Sequence, residues 1–293
     1  MEKLLSNYLS YMRIEKNSSP HSLSSYRRHL EKFINYLKQC GIDSFKNCSI
    51  SIIREYVYTI RDSHNLSPNS VRLLIAVLKS FYNYRADEEL ISVNPTRKIK
   101  LPKRVVPVPK AIEKFEIEKI LNAINSSPSR CRKNQIRDRL IISLLYFSGV
   151  RKSELLGLNW NDIDLAKFVL TVRSGKGRKF RQIPIHPKVR TLLDLYLEQR
   201  LPLTDYALFV GEQGKRLNKN SFANILKMYL ALSGLEKKGY SAHTFRHSFA
   251  SHLLENGADI FSIQELMGHS SLDTIKAYIN CSRQKMVSAV ECL

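Results

Sequence analysis

The chain has 293 residues, enough for two domains that each bury a core, and 43% of them are apolar. No apolar run approaches a membrane span, and the N-terminal stretch MEKLLSNYLSYMRIEK carries charge in its middle and lacks a small-residue cleavage site, so the expectation is a cytoplasmic protein without a membrane partner. Lys and Arg outnumber Asp and Glu 47 to 26, for a net charge of +21, and five widely spaced cysteines without a C-x-x-C argue against a disulfide framework or a cysteine zinc site.

The charge is spread along the chain. Residues 1–104 hold 18 basic and 9 acidic side chains, and residues 105–293 hold 29 and 17. A basic tail would be confined to one end. Two basic halves point instead to a polyanion contacted over an extended footprint, most simply nucleic acid clasped from both sides.

Residues 1–93 read as a helical bundle. Helices are expected over Lys3–Glu15, Leu23–Gln39, Ile50–Asp62 and Val71–Tyr84, with Ser18-Ser19-Pro20 and Ser67-Pro68 before the second and fourth and Gly41 after the second. Leu73, Leu74, Val77, Leu78 and Phe81 give the fourth a broad apolar face. Arg27, Arg28, Arg54, Arg72, Lys79 and Arg85 are each a candidate surface charge, and together a candidate phosphate-facing side. Asn94–Lys110, with four prolines and six basic residues, reads as an extended linker, so 94–112 separates the bundle from a second domain at 113–293.

The second domain opens with an expected helix over Phe115–Ile124 and a loop around Pro128. A strongly apolar core helix follows over Asn134–Phe147, stops at Ser148-Gly149, and leads directly to Arg151. Ser153-Glu154 can start a short helix. Phe168–Arg173 and Phe180–Ile185 read as a β-hairpin whose tip, Ser174-Gly175-Lys176-Gly177-Arg178, puts Lys176 between two glycines. Pro187–Glu198 is an expected helix, Ala207–Val210 a short strand, and Asn220–Leu232 a helix capped by Asn218. The fold class is therefore mainly α with a small β-sheet in the C-terminal domain.

From His243 the sequence reads HTFRHSFASHLLENGADIFSIQELMGHSSLDTIKAY. Phe245, Phe249 and Leu253 form one stripe on a helix, and His243 and Arg246 share a face that points away from it. Asn256-Gly257 is a helix stop, Ile260–Met267 a short helix, Gly268-His269 a turn, and a further helix carries Tyr278. Arg283–Val290 reads as a short tail helix with Met286, Val287 and Val290 on its apolar side.

Arg151, Lys176, His243, Arg246, His269 and Tyr278 come from two turns, a hairpin tip and two helices, a scatter that suits a site assembled by folding. Arginine and lysine suit a phosphate, because guanidinium groups bond its oxygens bidentately and stabilise added charge. A tyrosine becomes a nucleophile when its proton is removed or its oxyanion stabilised, and a mobile lysine can protonate a leaving alkoxide. None of this calls for a metal or a nucleotide cofactor. His243 and His247 have the spacing of a helical zinc pair, but H-E-x-x-H is absent and a metal reading leaves both arginines unexplained. Glu154 can brace Arg151 or cap its helix.

Taken together, SGVRKSELLGL, SGKGRKFRQIPI, HTFRHSFASHLLENGADI and IQELMGHSSLDTIKAY resemble the tyrosine site-specific recombinases, most closely the Xer type, over nearly the whole chain. The resemblance implies that Tyr278 attacks the scissile phosphate to give a 3′-phosphotyrosyl link and a free 5′-hydroxyl. It implies that Arg151 and Arg246 hold the phosphate oxygens, Lys176 is the general acid, and His243 and His269 position the phosphate and assist proton transfer. It further implies a DNA-clasping N-terminal domain, a catalytic C-terminal domain, and a tetramer on two duplexes, built from one chain or with a paralogous recombinase. It leaves open the need for an activating cell-division protein. Chromosome-dimer resolution and mobile-element integration are the two roles in view, and a non-catalytic DNA-binding protein on the same fold is the alternative from another class. Ser148, Val150 and Ile279-Asn280 depart from the commoner residues beside the first Arg and the Tyr.

Overall fold

The computed structural model describes residues 1–105, 111–127, 132–173, 180–201 and 205–268. The chain divides into two compact units, Met1–Val106 and Pro107–Leu293. Among the described residues no helix is long and apolar enough to cross a membrane.

Four helices build the first unit: α1 (Glu2–Ile14), α2 (Pro20–Gln39), α3 (Ile50–His64) and α4 (Pro68–Asp87). α2 and α4 begin three residues earlier than the sequence suggests, because each proline occupies the first helical turn, where its missing N–H costs nothing. Ser19 and Ser67 cap them, accepting hydrogen bonds from the amides of Ser22 and Ser70. α3 ends on Asn65, whose φ of 45° is the left-handed cap conformation. The core is aromatic: Tyr8, Phe33, Phe45, Tyr56, Phe81 and Tyr82 are all buried.

The chain after α4 does not leave the unit at once. Pro95–Lys98 form a turn, Thr96 is buried and Ile99 joins the core. Lys79 donates to the carbonyls of Thr96 (3.1 Å) and Ile99 (2.9 Å), Arg72 donates to Pro102, and Asn69 pairs with both the amide and the carbonyl of Val105. These contacts change the reading of the basic set. Arg72 and Lys79 hold the following chain, and Arg85 is 2% exposed, its guanidinium lying over the rings of Phe45 and Phe81. Three of the six cations named as a phosphate-facing side are therefore used inside the unit.

The second unit contains α5 (Lys114–Asn125), α6 (Arg132–Ser148), α7 (Lys152–Gly157), β1 (Ile163–Asp164), β2 (Val169–Arg173), β3 (Phe180–Pro184), α8 (Pro187–Arg200), α9 (Lys219–Leu232), α10 (Ala242–Glu255) and α11 (Ile260–Met267). α6 is central and packs against α5, α8 and α10, with Leu140, Ile141, Leu144 and Leu145 fully buried. The sheet is antiparallel in the order β1-β2-β3, and the register pairs Leu170 with Ile183 and Val172 with Arg181. Leu170, Val172 and Ile183 point into the core. Phe168 precedes β2 rather than starting it, because its φ of 52° is incompatible with a strand. Its ring is half-buried, with the Arg190 guanidinium 4.0 Å from the ring centre.

Ala207–Val210 is not a strand. Its residues are buried, but it makes only two isolated bridges, Asn159 with Ala207 and Val210 with Arg216. An apolar run was the whole signal there, and burial alone explains it. α9 starts as expected, with Asn218 Oδ1 accepting from the amides of Asn220 and Ser221. The hairpin tip at 174–178, the loop around Pro128, the helix expected to carry Tyr278 and the tail helix at 283–290 lie outside the described residues.

Candidate active site

The site grows from the end of α6. Gly149 takes φ 60°, and a Cβ built there would lie 2.3 Å from the Phe249 ring, so only glycine fits both the backbone and the packing. Val150 is buried and Arg151 becomes the N-cap of α7. Glu154, three residues on, does two things. Its Oε2 accepts from the Arg151 amide (2.8 Å), and its Oε1 accepts from Arg151 Nη1 (2.7 Å). The carboxylate caps the helix and braces the arginine at once.

Arg246 does not share an exposed face with His243. α10 packs against α6 on one side and α11 on another, with Phe245 in the main core and Phe249, Ala250 and Leu254 in a second cluster with Ile263 and Met267. The stripe model assumes one apolar face. With two packing partners, Arg246 is enclosed at 4% exposure while His243 remains exposed. Arg246 Nη1 donates to the Gly149 carbonyl and Nη2 donates to the Met267 carbonyl. Carbonyls are neutral acceptors, and these two bonds fix the guanidinium's direction.

Arg151 reaches the same place. Its Nη2 donates to the Gly268 carbonyl at 3.3 Å. The two arginines, 95 positions apart in the numbering of the sequence, thus meet on consecutive carbonyls, Met267 and Gly268, at the end of α11. Gly268 closes that helix in the left-handed conformation at φ 60°, and residue 269 follows directly.

Arg181, which the sequence reading did not single out, belongs to this assembly. From β3 its Nη1 and Nη2 donate to the two oxygens of Glu154 (3.0 and 2.7 Å), and its Nε donates to the Leu266 carbonyl (2.8 Å). Strand alternation could have found it. Arg181 lies two residues before the buried Ile183, so it occupies a core-facing position, where a cation requires a partner.

The electrostatics follow. Burial alone would raise the Glu154 carboxyl, but hydrogen bonds from Arg181 and the Arg151 amide, with the Arg181 charge, hold it down at about 2. Burial, then repulsion from His243 and Arg246, lowers the His247 imidazole below its ordinary value. His252 is likewise lowered by burial and pairs its Nδ1 with the Tyr146 hydroxyl at 2.9 Å. His243, near the start of α10, lines a cavity of about 360 Å³ with Lys152, Lys227, Glu236 and Tyr240.

Of the six residues expected to form the site, Arg151 and Arg246 come together as described, and His243 lies one helical turn before Arg246. Lys176, His269 and Tyr278 lie outside the described residues.

Comparison with known proteins places this geometry in a class. The sequence matches the Phage integrase family over residues 110–285 and the Phage integrase N-terminal SAM-like domain over residues 5–89. The chain therefore belongs to the phage integrase family, the tyrosine recombinases, which break and rejoin DNA. Within it, the likeness is to the Xer branch. The chain is 36% identical to tyrosine recombinase XerC of Actinobacillus succinogenes, over 95% of this chain and 92% of that one. It is 33% identical to tyrosine recombinase XerD of Staphylococcus epidermidis, over 98% and 96%. Its fold is similar to that of the XerH recombinase crystallised on a palindromic difH substrate, with TM-score 0.77 and 24% identity over 98% of this chain and 83% of that one.

Proposed function

We propose that the chain recombines DNA at a chromosome- or plasmid-dimer resolution site through Tyr278. The observation that carries the reading is the convergence of Arg151 and Arg246 on the consecutive carbonyls of Met267 and Gly268. Two guanidinium groups of fixed direction, Arg246 bonded to the carbonyls of Gly149 and Met267 and Arg151 sharing its carboxylate with a third arginine, make a cationic seat for a phosphate next to the segment that leads to His269 and Tyr278. The likeness to XerC and XerD along nearly the whole chain supports the same reading.

In this reading the Tyr278 phenol oxygen attacks the scissile phosphorus and passes its proton to one of the two histidines, His243 or His269. The bond from phosphorus to the 5′-oxygen breaks, a 3′-phosphotyrosyl bond takes its place, and Lys176 delivers a proton to the leaving 5′-oxygen. Arg151 and Arg246 hold the non-bridging oxygens as charge builds in the pentacovalent transition state. His243 and His269 orient the phosphate and assist the proton transfers. A 5′-hydroxyl from a partner duplex then attacks the phosphotyrosine and regenerates the phenol, so one phosphodiester is exchanged for another without an external energy source. The first unit clasps the duplex with the second, and four subunits, of one chain or with a paralogue, hold two duplexes, subject to an activating cell-division partner.

Tyr278→Phe tests the nucleophile. It should bind target DNA as the wild type does and form no covalent adduct on a nicked substrate that traps the cleaved state. Adduct formation by the Phe variant would remove Tyr278 from the mechanism.

A further inference from the structure

We infer that Arg181 is a positioning and charge-balancing residue of the cleavage site, a role resting on the reading above but not contained in it. Glu154 carries one negative charge and touches two guanidinium groups, Arg151 at 2.7 Å and Arg181 at 2.7 Å; Glu154 and Arg181 are each 8% exposed, while Arg151 keeps 36% of its side chain in contact with water. One carboxylate between two arginines leaves the trio with a net positive charge. Without Arg181, Glu154 would pair with Arg151 alone, and that pair would be neutral where a phosphate dianion in transition needs a cation. Arg181 thus lets Glu154 orient Arg151 without cancelling it.

Its placement adds a second function. Arg181 belongs to β3, the strand that resumes the chain after the segment containing Lys176, and its Nε donates to Leu266 in the last turn of α11. Gly268 lies against it so closely that a Cβ there would come within 3.0 Å of Arg181 Cδ and Nη1. One side chain therefore ties the hairpin strand to the α7 carboxylate and to the end of α11, where the Gly268 carbonyl receives Arg151. At the other strand of the hairpin, Arg173 is tied to Asp162 at 2.7 Å, but that pair touches none of the site's arginines.

The test is single-turnover cleavage of a nicked substrate by the full chain, with DNA affinity and thermal melting measured alongside. Arg181→Gln should cleave about 10–100-fold more slowly at saturating DNA, less than the ~10²–10³-fold expected for removing a group that contacts the transition state directly, with affinity unchanged. Arg181→Lys, which keeps the charge beside Glu154 but loses the two-pronged pairing and the bond to Leu266, should fall between Arg181→Gln and wild type. Adding Glu154→Gln to Arg181→Gln should recover part of the loss, because Arg151 is then freed from its neutralising partner, and a purely structural role would make the two losses add. Wild-type cleavage by R181Q, an R181K defect as deep as that of R181Q, or a double variant slower than R181Q would each overturn the inference. Arg181→Met, which keeps the stem, replaces R181Q if the latter melts below the assay temperature. Adduct formation by Tyr278→Phe would instead sink the functional reading, so the two failures are separable.

Discussion

Both units use buried arginines as internal scaffolding, Arg137 and Arg200 among them in the second, but the second also brings three arginines to one place. In the first, Lys79 and Arg72 reach carbonyls of the chain that follows α4, and Arg85 lies between aromatic rings, so each ends as internal scaffolding. In the second, Arg151, Arg181 and Arg246 come from α7, β3 and α10 and meet at the end of α11. Bonding to carbonyls does not distinguish the two cases, since both do it. Convergence does: in the first unit the donors serve separate stretches of one loop, whereas in the second they surround three successive residues, Leu266 to Gly268. Only the second arrangement concentrates positive charge at a point.

The sharpest way to break this contrast is Arg246→Ala. If Arg246 is a direct donor to the scissile phosphate, its removal should slow single-turnover cleavage by about 10²–10³-fold, or roughly 3–4 kcal/mol. The Arg72→Ala variant of the first unit provides the control, and its cleavage rate should not follow. An Arg246→Ala enzyme that cleaves within threefold of wild type would reduce this arginine to the scaffolding of the other unit.

Next in size is the acid response of Glu154. Its folded pKa of about 2 lies below the ordinary value of 4.5, so it contributes stability that is complete above about pH 4.5 and is lost as pH falls toward 2. The depression corresponds to about 3 kcal/mol at neutral pH. Other carboxylates titrate in the same window, Glu116 among them, so the measurement is a difference: denaturant stability of wild type minus that of Glu154→Gln at each pH. That difference should shrink by about 3 kcal/mol between pH 5 and pH 2. A constant difference would mean that the arginine pair does not hold the carboxylate in its charged form.

Much of this was legible in the sequence, and what was not had identifiable causes. The helices were, because Leu74, Val77, Leu78 and Phe81 repeat at helical spacing and α4 buries them as that spacing demands, although Leu73, read onto the same face, is 42% exposed. Their starts were misplaced at Pro20 and Pro68 because proline reads as a breaker when its place in the first turn is ignored. Arg151 and Arg246 were legible through motif and residue type, but not the burial of Arg246, since the number of neighbours around α10 is a tertiary property. Arg181 went unnoticed for a related reason. Its significance lies in a carboxylate 27 positions away, and only strand phase hinted that it pointed inward. Arg85 was misjudged outright, because on a helix at its spacing a surface arginine and a buried one look the same.

Arg85 supplies the smallest expected effect and the most direct check on the first unit. Burial lowers its pKa, and its Nε and Nη1 have no hydrogen-bond partner among the described residues. The rings of Phe45 and Phe81, with centres 5.2 and 5.9 Å away, offset part of the desolvation through their π-faces, but an aromatic quadrupole returns less than a carboxylate would. Replacing an incompletely compensated buried cation by an apolar side chain of similar length is commonly neutral or stabilising. Arg85→Met should therefore raise the stability of the first unit by about 1 kcal/mol, a shift of roughly 4–8 °C in melting for a unit near 100 residues, and leave cleavage untouched. A fall in melting temperature would show that the guanidinium has a stabilising partner beyond the two rings. A fall in cleavage with no change in melting would place Arg85 on the DNA side of the contrast and erase the distinction between the units.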